Sequence, residues 1–153
     1  MTGEPTKKPS RTGTKRAPRR VAAVVDTELA QRREVAIAIA REATKSKCTD
    51  AVVLEVAGMS PVCDFIMIAT GTSSRQMRSV ADDLAKVAGS LGMPAWRRAR
   101  DEGLSWIVVD LVHVVVHLFE PGQREFYDIE GLWSDAARVE WREKPLARGA
   151  KAS

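Results

Sequence analysis

Residues 64–76 read Asp64-Phe65-Ile66-Met67-Ile68-Ala69-Thr70-Gly71-Thr72-Ser73-Ser74-Arg75-Gln76. The stretch to Thr70 is nearly all apolar, which is the composition of a strand covered on both faces. Gly71 interrupts it, and Ser73 followed three places on by Gln76 forms a capping box, so a helix starts directly behind the strand. Within that helix Met77, Val80, Ala81, Leu84, Val87, Ala88 and Leu91 fall on one stripe, and Gly92 with Pro94 ends it. A strand passing straight into an amphipathic helix makes this an α/β chain.

Working outward, Asp50 to Val56 alternates weakly and is rich in valine, a second strand joined to the first by a turn over Gly58 to Pro61. Before it, Asp26 or Thr27 can cap a helix whose apolar positions Leu29, Ala36, Ala40 and Ala43 recur at helical spacing, widened by Val35, Ile37 and Ile39, and which runs to about Lys47. On the other side a short strand is expected near Pro94 to Arg98. Trp106 to Asp110 and His113 to Phe119 follow as strands, antiparallel neighbours because their link is too short for a crossover. Pro121-Gly122 then turns the chain into a short helical end, where Asp128 caps the turn carrying Ile129, Leu132 and Trp133. The expected fold is an α/β sandwich with a mixed β-sheet packed with helices, and the chain has no internal repeat.

Charge divides the chain into a body and two ends. Residues 1–20 hold seven Lys/Arg against the single acid Glu4, and residues 142–153 hold four bases against Glu143. The whole chain carries a formal +4, so the stretch between these ends is acidic. Basic arms rich in Pro, Thr, Ser and Gly bury too little apolar surface to offset their ordering entropy. Residues 1–24 are therefore expected to form a disordered basic N-terminal tail, residues 25–141 the domain, and residues 142–153 a basic C-terminal tail. Such tails are drawn to polyanions such as RNA, whereas an acidic body is drawn to a basic protein surface.

Catalytic equipment is sparse. Cys48 and Cys63 stand alone with no Cys-x-x-Cys pair and no secretory segment ahead of them, which fits a reducing, cytoplasmic setting. No run reaches the roughly 18 to 20 apolar residues of a membrane span. His113 and His117, the only histidines, share one face of a strand, but with no third ligand nearby they fit structural histidines better than a metal pair. There is no Gly-x-Ser-x-Gly elbow. The turn at Gly71 sits where phosphates bind in other folds, yet it lacks the Gly-x-Gly-x-x-Gly and Walker patterns. Asp82 and Asp83 are adjacent on a helix and project about 100° apart, so they cannot share a metal as nucleotidyl transfer requires. The expectation is no catalytic residue, no cofactor and no metal. A nucleotide-binding or nucleotidyltransferase-like enzyme using the Gly71 turn is the alternative.

Aromatic residues concentrate in the second half, at Trp96, Trp106, Trp133, Trp141, Phe119, Phe126 and Tyr127. Trp106 shares its strand face with Val108 and Asp110, opposite Ile107 and Val109; with the latter pair under the helices, Trp106 and Asp110 lie toward the other surface. Trp and Tyr beside acids and an arginine such as Arg124 are common anchors of protein interfaces.

Residues 50–133 resemble the Iojap or ribosomal silencing factor family. The resemblance is carried by Asp50-Ala51-Val52-Val53-Leu54-Glu55-Val56, by Asp64 to Gln76, by Trp106-Ile107-Val108-Val109-Asp110, by Val115-Val116-His117-Leu118-Phe119, and by Arg124-Glu125-Phe126-Tyr127-Asp128-Ile129-Glu130-Gly131-Leu132-Trp133. It implies a nucleotidyltransferase-like fold without the active site, a homodimer when free, and a translation repressor. Such a protein would bind the large ribosomal subunit, bacterial or organellar, through a basic ribosomal protein at the subunit-joining face and keep the small subunit off. The contact surface that carries over is Trp106 and Tyr127, with Asp110, Glu130, Leu132 and Trp133 around them; the basic tails are suited to touch nearby rRNA. Two departures stand out. Leu111-Val112-His113 replaces a hairpin in which family members carry glycine followed by an acidic residue. The Glu-Gly pair expected before the tryptophan strand falls either on Glu102-Gly103 or on Ala99-Arg100.

Overall fold

The computed structural model describes residues 19–100 and 105–143, with side chains from residue 26 to 99 and from 105 onward. Its elements in chain order are α1 (Arg19–Lys45), β1 (Thr49–Glu55), β2 (Phe65–Thr70), α2 (Ser74–Ser90), β3 (Arg97–Arg100), β4 (Trp106–Asp110), β5 (Val114–Phe119), α3 (Gln123–Tyr127), α4 (Ile129–Leu132) and β6 (Ala137–Arg138). The sheet runs β3-β4-β5-β2-β1-β6. β2 and β5 are parallel, with Phe65 opposite Val114 and Thr70 opposite Phe119, and the other neighbours are antiparallel. The expected mixed α/β sheet is therefore present.

β2 is buried on both faces because two different layers cover it. On one side Phe65, Met67 and Ala69 meet α1 through Val35, Ala36, Ile39, Ala40 and Ala43, and α2 through Met77, Val80, Ala81, Leu84 and Ala88. Ile107 and Val109 of β4 and Val114, Val116 and Leu118 of β5 complete this layer. On the other side Ile66 and Ile68 join Leu54, Val56, Cys63 and Phe119 under Trp106, Ile129, Trp133 and Ala136. Only short C-terminal elements cover that second face, which leaves it more open than the first.

Several boundaries differ from the sequence expectation. α1 starts at Arg19, so Asp26 and Thr27 lie inside the helix rather than capping it. No Gly or Pro interrupts residues 19–45, and the Val21-Ala22-Ala23-Val24-Val25 run continues the helix past both polar residues. Residues 19–24, assigned to the N-terminal tail, are thus helical in their backbone; residues 1–18 and 144–153 of the expected tails lie outside the described residues. Leu91 is not part of the α2 stripe but its exposed C-cap. β5 begins one residue later than expected, because Val112 turns the chain with φ 73° and His113 N–H donates back to Leu111 O. β6 was not anticipated; two residues carry too little pattern to declare a strand.

Candidate functional site

The face of the sheet away from α1 and α2 gathers Trp106, His117, Phe119 and Tyr127. Trp106 opens β4 and stands opposite Phe119 of β5. Its ring lies 5.1 Å from that of Phe119, 5.8 Å from that of His117 and 4.4 Å from that of Tyr127. The indole N–H donates to Nδ1 of His117 at 3.1 Å. Burial pushes His117 down to about 4, so the ring is neutral at pH 7 and serves as an acceptor. Phe126 packs edge-on to Tyr127 at 5.0 Å and leaves 76% of its surface exposed, beside Tyr127 at 38% and Leu132 at 73%. Apolar surface of this kind on neighbouring short helices marks a contact site rather than a core.

An arginine clasp holds the two short helices on the sheet. Arg124 gives Nε and Nη2 to the two oxygens of Glu130 at 3.0 and 3.1 Å, and Nη1 to Thr70 Oγ1 at 3.0 Å at the end of β2. Hydrogen bonding from Arg124 holds the Glu130 carboxyl below its usual range. Between the helices Asp128 adopts a left-handed conformation, ending α3 and capping α4 through a bond from Gly131 N–H. Glycine at 131 leaves the Asp128 carboxylate room in its capping position, since a Cβ there would push that carboxylate aside. Glu125, Asp128 and Asp135, all exposed, lie in the same short segment as these apolar residues and make it acidic.

The six residues singled out from sequence divide into groups. Trp106 and Tyr127 come together as the centre of the cluster, and Leu132 is exposed at the end of α4, the short helix that follows Tyr127. Trp133 turns inward and packs on the second core. Glu130 is occupied by Arg124. Asp110 shares the sheet face of Trp106 but sits at the far end of β4, about 13 Å along the strand. There its Oδ1 accepts the Val112 N–H at 2.8 Å and holds the hairpin. Sequence reasoning missed Phe126 as a surface residue; its position next to Tyr127 on a helix too short to bury both was the available signal.

The features weighed for catalysis are occupied structurally. At the Gly71 turn, Gly71 N–H donates to Phe119 O, Thr72 N–H to Gln76 Oε1 and Gln76 N–H to Ser73 Oγ. Gln76 Nε2 reaches on to Ser46 O at 2.7 Å, tying α2 to the α1–β1 connection. His113 lies near Asp64, which is bound to Arg32, and does not meet His117. Among the described residues no group of three His, Cys, Asp or Glu is placed to hold a metal ion. Burial raises the thiols of Cys48 and Cys63, which leaves both poor nucleophiles. No described helix is long and apolar enough to cross a membrane.

Comparison with known proteins converges on one family. The profile described as "Ribosomal silencing factor during starvation" matches residues 29–153. A ribosomal silencing factor RsfS from Halalkalibacterium halodurans is 38% identical over 94 residues, covering 61% of this chain and 80% of that protein. The mouse protein named mitochondrial assembly of ribosomal large subunit protein 1 is 31% identical over 88 residues, covering 56% of this chain and 39% of its own. Among solved structures, a crystal structure of a Chromobacterium violaceum protein superposes with a TM-score of 0.62 at 26% identity, covering 78% of this chain and 95% of that one. With the strand–turn–helix unit at Gly71 and the aromatic face around Trp106 in place, the chain belongs to the ribosomal silencing factor family.

Proposed function

We propose that this protein represses translation in the cytoplasm by binding the large ribosomal subunit through a basic ribosomal protein at the subunit-joining face, so that the small subunit cannot dock. The observation that carries this reading is the exposed Phe126, Tyr127 and Leu132 on two short helices, with Tyr127 on Trp106 and with exposed Glu125, Asp128 and Asp135 in the same segment. Exposed apolar residues carried by an acidic segment suit a basic protein surface, since the charge steers the encounter and the apolar side chains supply the affinity. Repression then needs no chemistry: occupying one face removes a surface the small subunit must use. A homodimer of the free protein and contact of the basic tails with nearby rRNA belong to the same reading.

Co-sedimentation with separated ribosomal subunits, followed by a reassociation assay, tests it. Selective binding to large subunits with blocked joining is the expected result. Phe126→Ala with Leu132→Ala should weaken binding about tenfold or more while leaving the thermal midpoint in place. Equal binding to both subunits, or undiminished binding by the folded double variant, would remove the reading.

A further inference from the structure

Trp96 belongs to neither core and leaves 68% of its surface exposed on the approach to β3. The Arg97 guanidinium stands 5.3 Å from its ring centroid. Arg98 pairs with Asp82 of α2, and with Arg78 and Asp82 it lines an open cleft of about 410 Å³ between α2 and β3. Arg78 is exposed on α2. One edge of an otherwise acidic body is therefore locally basic and carries an uncovered indole.

Arginines on an edge strand also discourage unwanted strand pairing, which would account for Arg97 and Arg98 by themselves. That explanation fails for Trp96, because a protected edge gains nothing from an exposed large aromatic. An acidic peptide could satisfy the arginines, but a four-residue edge strand offers it a short ladder and no use for the ring. An unpaired base has a flat face to stack on the indole and a phosphate to meet the arginines beside it.

We infer that the β3 edge, with Trp96, Arg97 and Arg98 beside Arg78 of α2, is a docking surface for an unpaired segment of RNA. A base stacks on Trp96, and adjoining phosphates meet Arg97, Arg98 and Arg78, with Arg98 exchanging its exposed ion pair with Asp82 for a phosphate. Arg97 stands opposite Asp110 in the β3–β4 register, and so on the same sheet face as Trp106. The RNA edge thus lies at the Asp110 end of the face whose other end, about 13 Å along β4, carries Trp106. If the aromatic surface rests on a ribosomal protein as proposed above, this edge turns toward the rRNA around it; the identity of the RNA as ribosomal rests on that reading, whereas the RNA surface itself does not.

The test uses the full chain and no ribosome, so its failure is separate from failure of the ribosome-binding reading. Fluorescence anisotropy measures binding of a short labelled single-stranded RNA of mixed sequence, and of a blunt RNA duplex, to the parent and to Trp96→Ala. The basic tails contribute equally to both proteins. The expected result is a loss of at least about fivefold on the single strand with the duplex unaffected, because duplex bases are not free to stack. Arg97→Gln with Arg98→Gln should lower the dependence of log affinity on log salt by roughly one phosphate's worth per side chain. Unchanged single-strand affinity in a folded Trp96→Ala protein overturns the inference, as does an equal loss on the duplex. Tight binding of polyglutamate with none to RNA would assign the edge to an acidic protein and overturn it too.

Discussion

The indole N–H of Trp106 donates to Nδ1 of His117 at 3.1 Å, which fixes the imidazole as the neutral tautomer protonated at Nε2. Burial lowers His117 to about 4, against about 6.5 in an unfolded chain. Between these values the unfolded state binds the proton and the folded state does not, so stability falls as pH drops from about 6.5 toward 4. The full effect is up to about 3 kcal/mol. Thermal midpoints measured from pH 7.5 to 4.5 should decline for the parent and decline less for His117→Gln, whose amide oxygen can still accept the Trp106 N–H. Parallel profiles for the two proteins would show that His117 is not the titrating group.

Val112 occupies the left-handed region at φ 73°, where a β-branched residue is strained. This is the hairpin in which the family resemblance implies a glycine. Val112→Gly removes a conformational cost of roughly 1–2 kcal/mol and adds some unfolded-state entropy, for a net stabilisation of about 1 kcal/mol. The Asp110 bond to its N–H is retained. Urea denaturation should show a higher midpoint with an unchanged slope. A lower midpoint would mean that Val112 gains more from packing than it loses in its backbone.

Gly71 is held to glycine by close approach, since a Cβ there would collide with the Met77 side chain and crowd Gln76 Oε1. Gly71→Ala should cost about 2 kcal/mol by shifting a fully buried methionine and loosening the cap. The same geometry bears on nucleotides: the Thr72 and Gln76 N–H groups, which a phosphate would use, are already bonded to side chains. No rise in thermal midpoint is expected with ATP, CTP or GTP and magnesium. A rise that grows with nucleotide concentration would revive the enzyme reading.

What the sequence declared was whatever had a strong local cause. Ser73 and Gln76 cap α2 as their spacing requires, Asp128 caps the last turn, and the alternation of β4 sends Ile107 and Val109 under the helices and Trp106 to the opposite face. The start of α1 was misjudged because Asp26 and Thr27 have the chemistry of caps, while an uninterrupted helical run overrode it. Of the candidate surface, Trp106 and Tyr127 were legible as aromatic residues, and the structure brings their rings into contact. Pairing across the sequence hid the rest: that Arg124 would engage Glu130 and Thr70, or that Asp110 would be committed to the hairpin, depends on how the elements dock. The basic edge at Trp96 was masked by counting charge over the whole body.

Trp141 closes the end of the sheet where α1 passes into β1. It is 7% exposed, its indole N–H donates to Ala51 O at 2.9 Å, and its own carbonyl accepts Arg41 Nε at 2.7 Å. Two bonds in opposite directions staple the C-terminal segment to α1 and β1, and Val139 N–H adds a third contact to Val53 O. Trp141→Ala should therefore destabilise by about 3 kcal/mol, the lower end for a buried tryptophan because the site lies at the rim and can partly collapse. Trp141→Phe keeps most of the packing but leaves Ala51 O without its donor, for a loss of about 1–2 kcal/mol. Hydrogen exchange gives the sharper reading: protection should fall in β1 and the C-terminal half of α1, while β4 and β5 around Trp106 keep theirs. An even loss across the sheet would mean that the segment is part of one cooperative core, and a negligible loss would make residues 139–141 an appendage that the domain does not need.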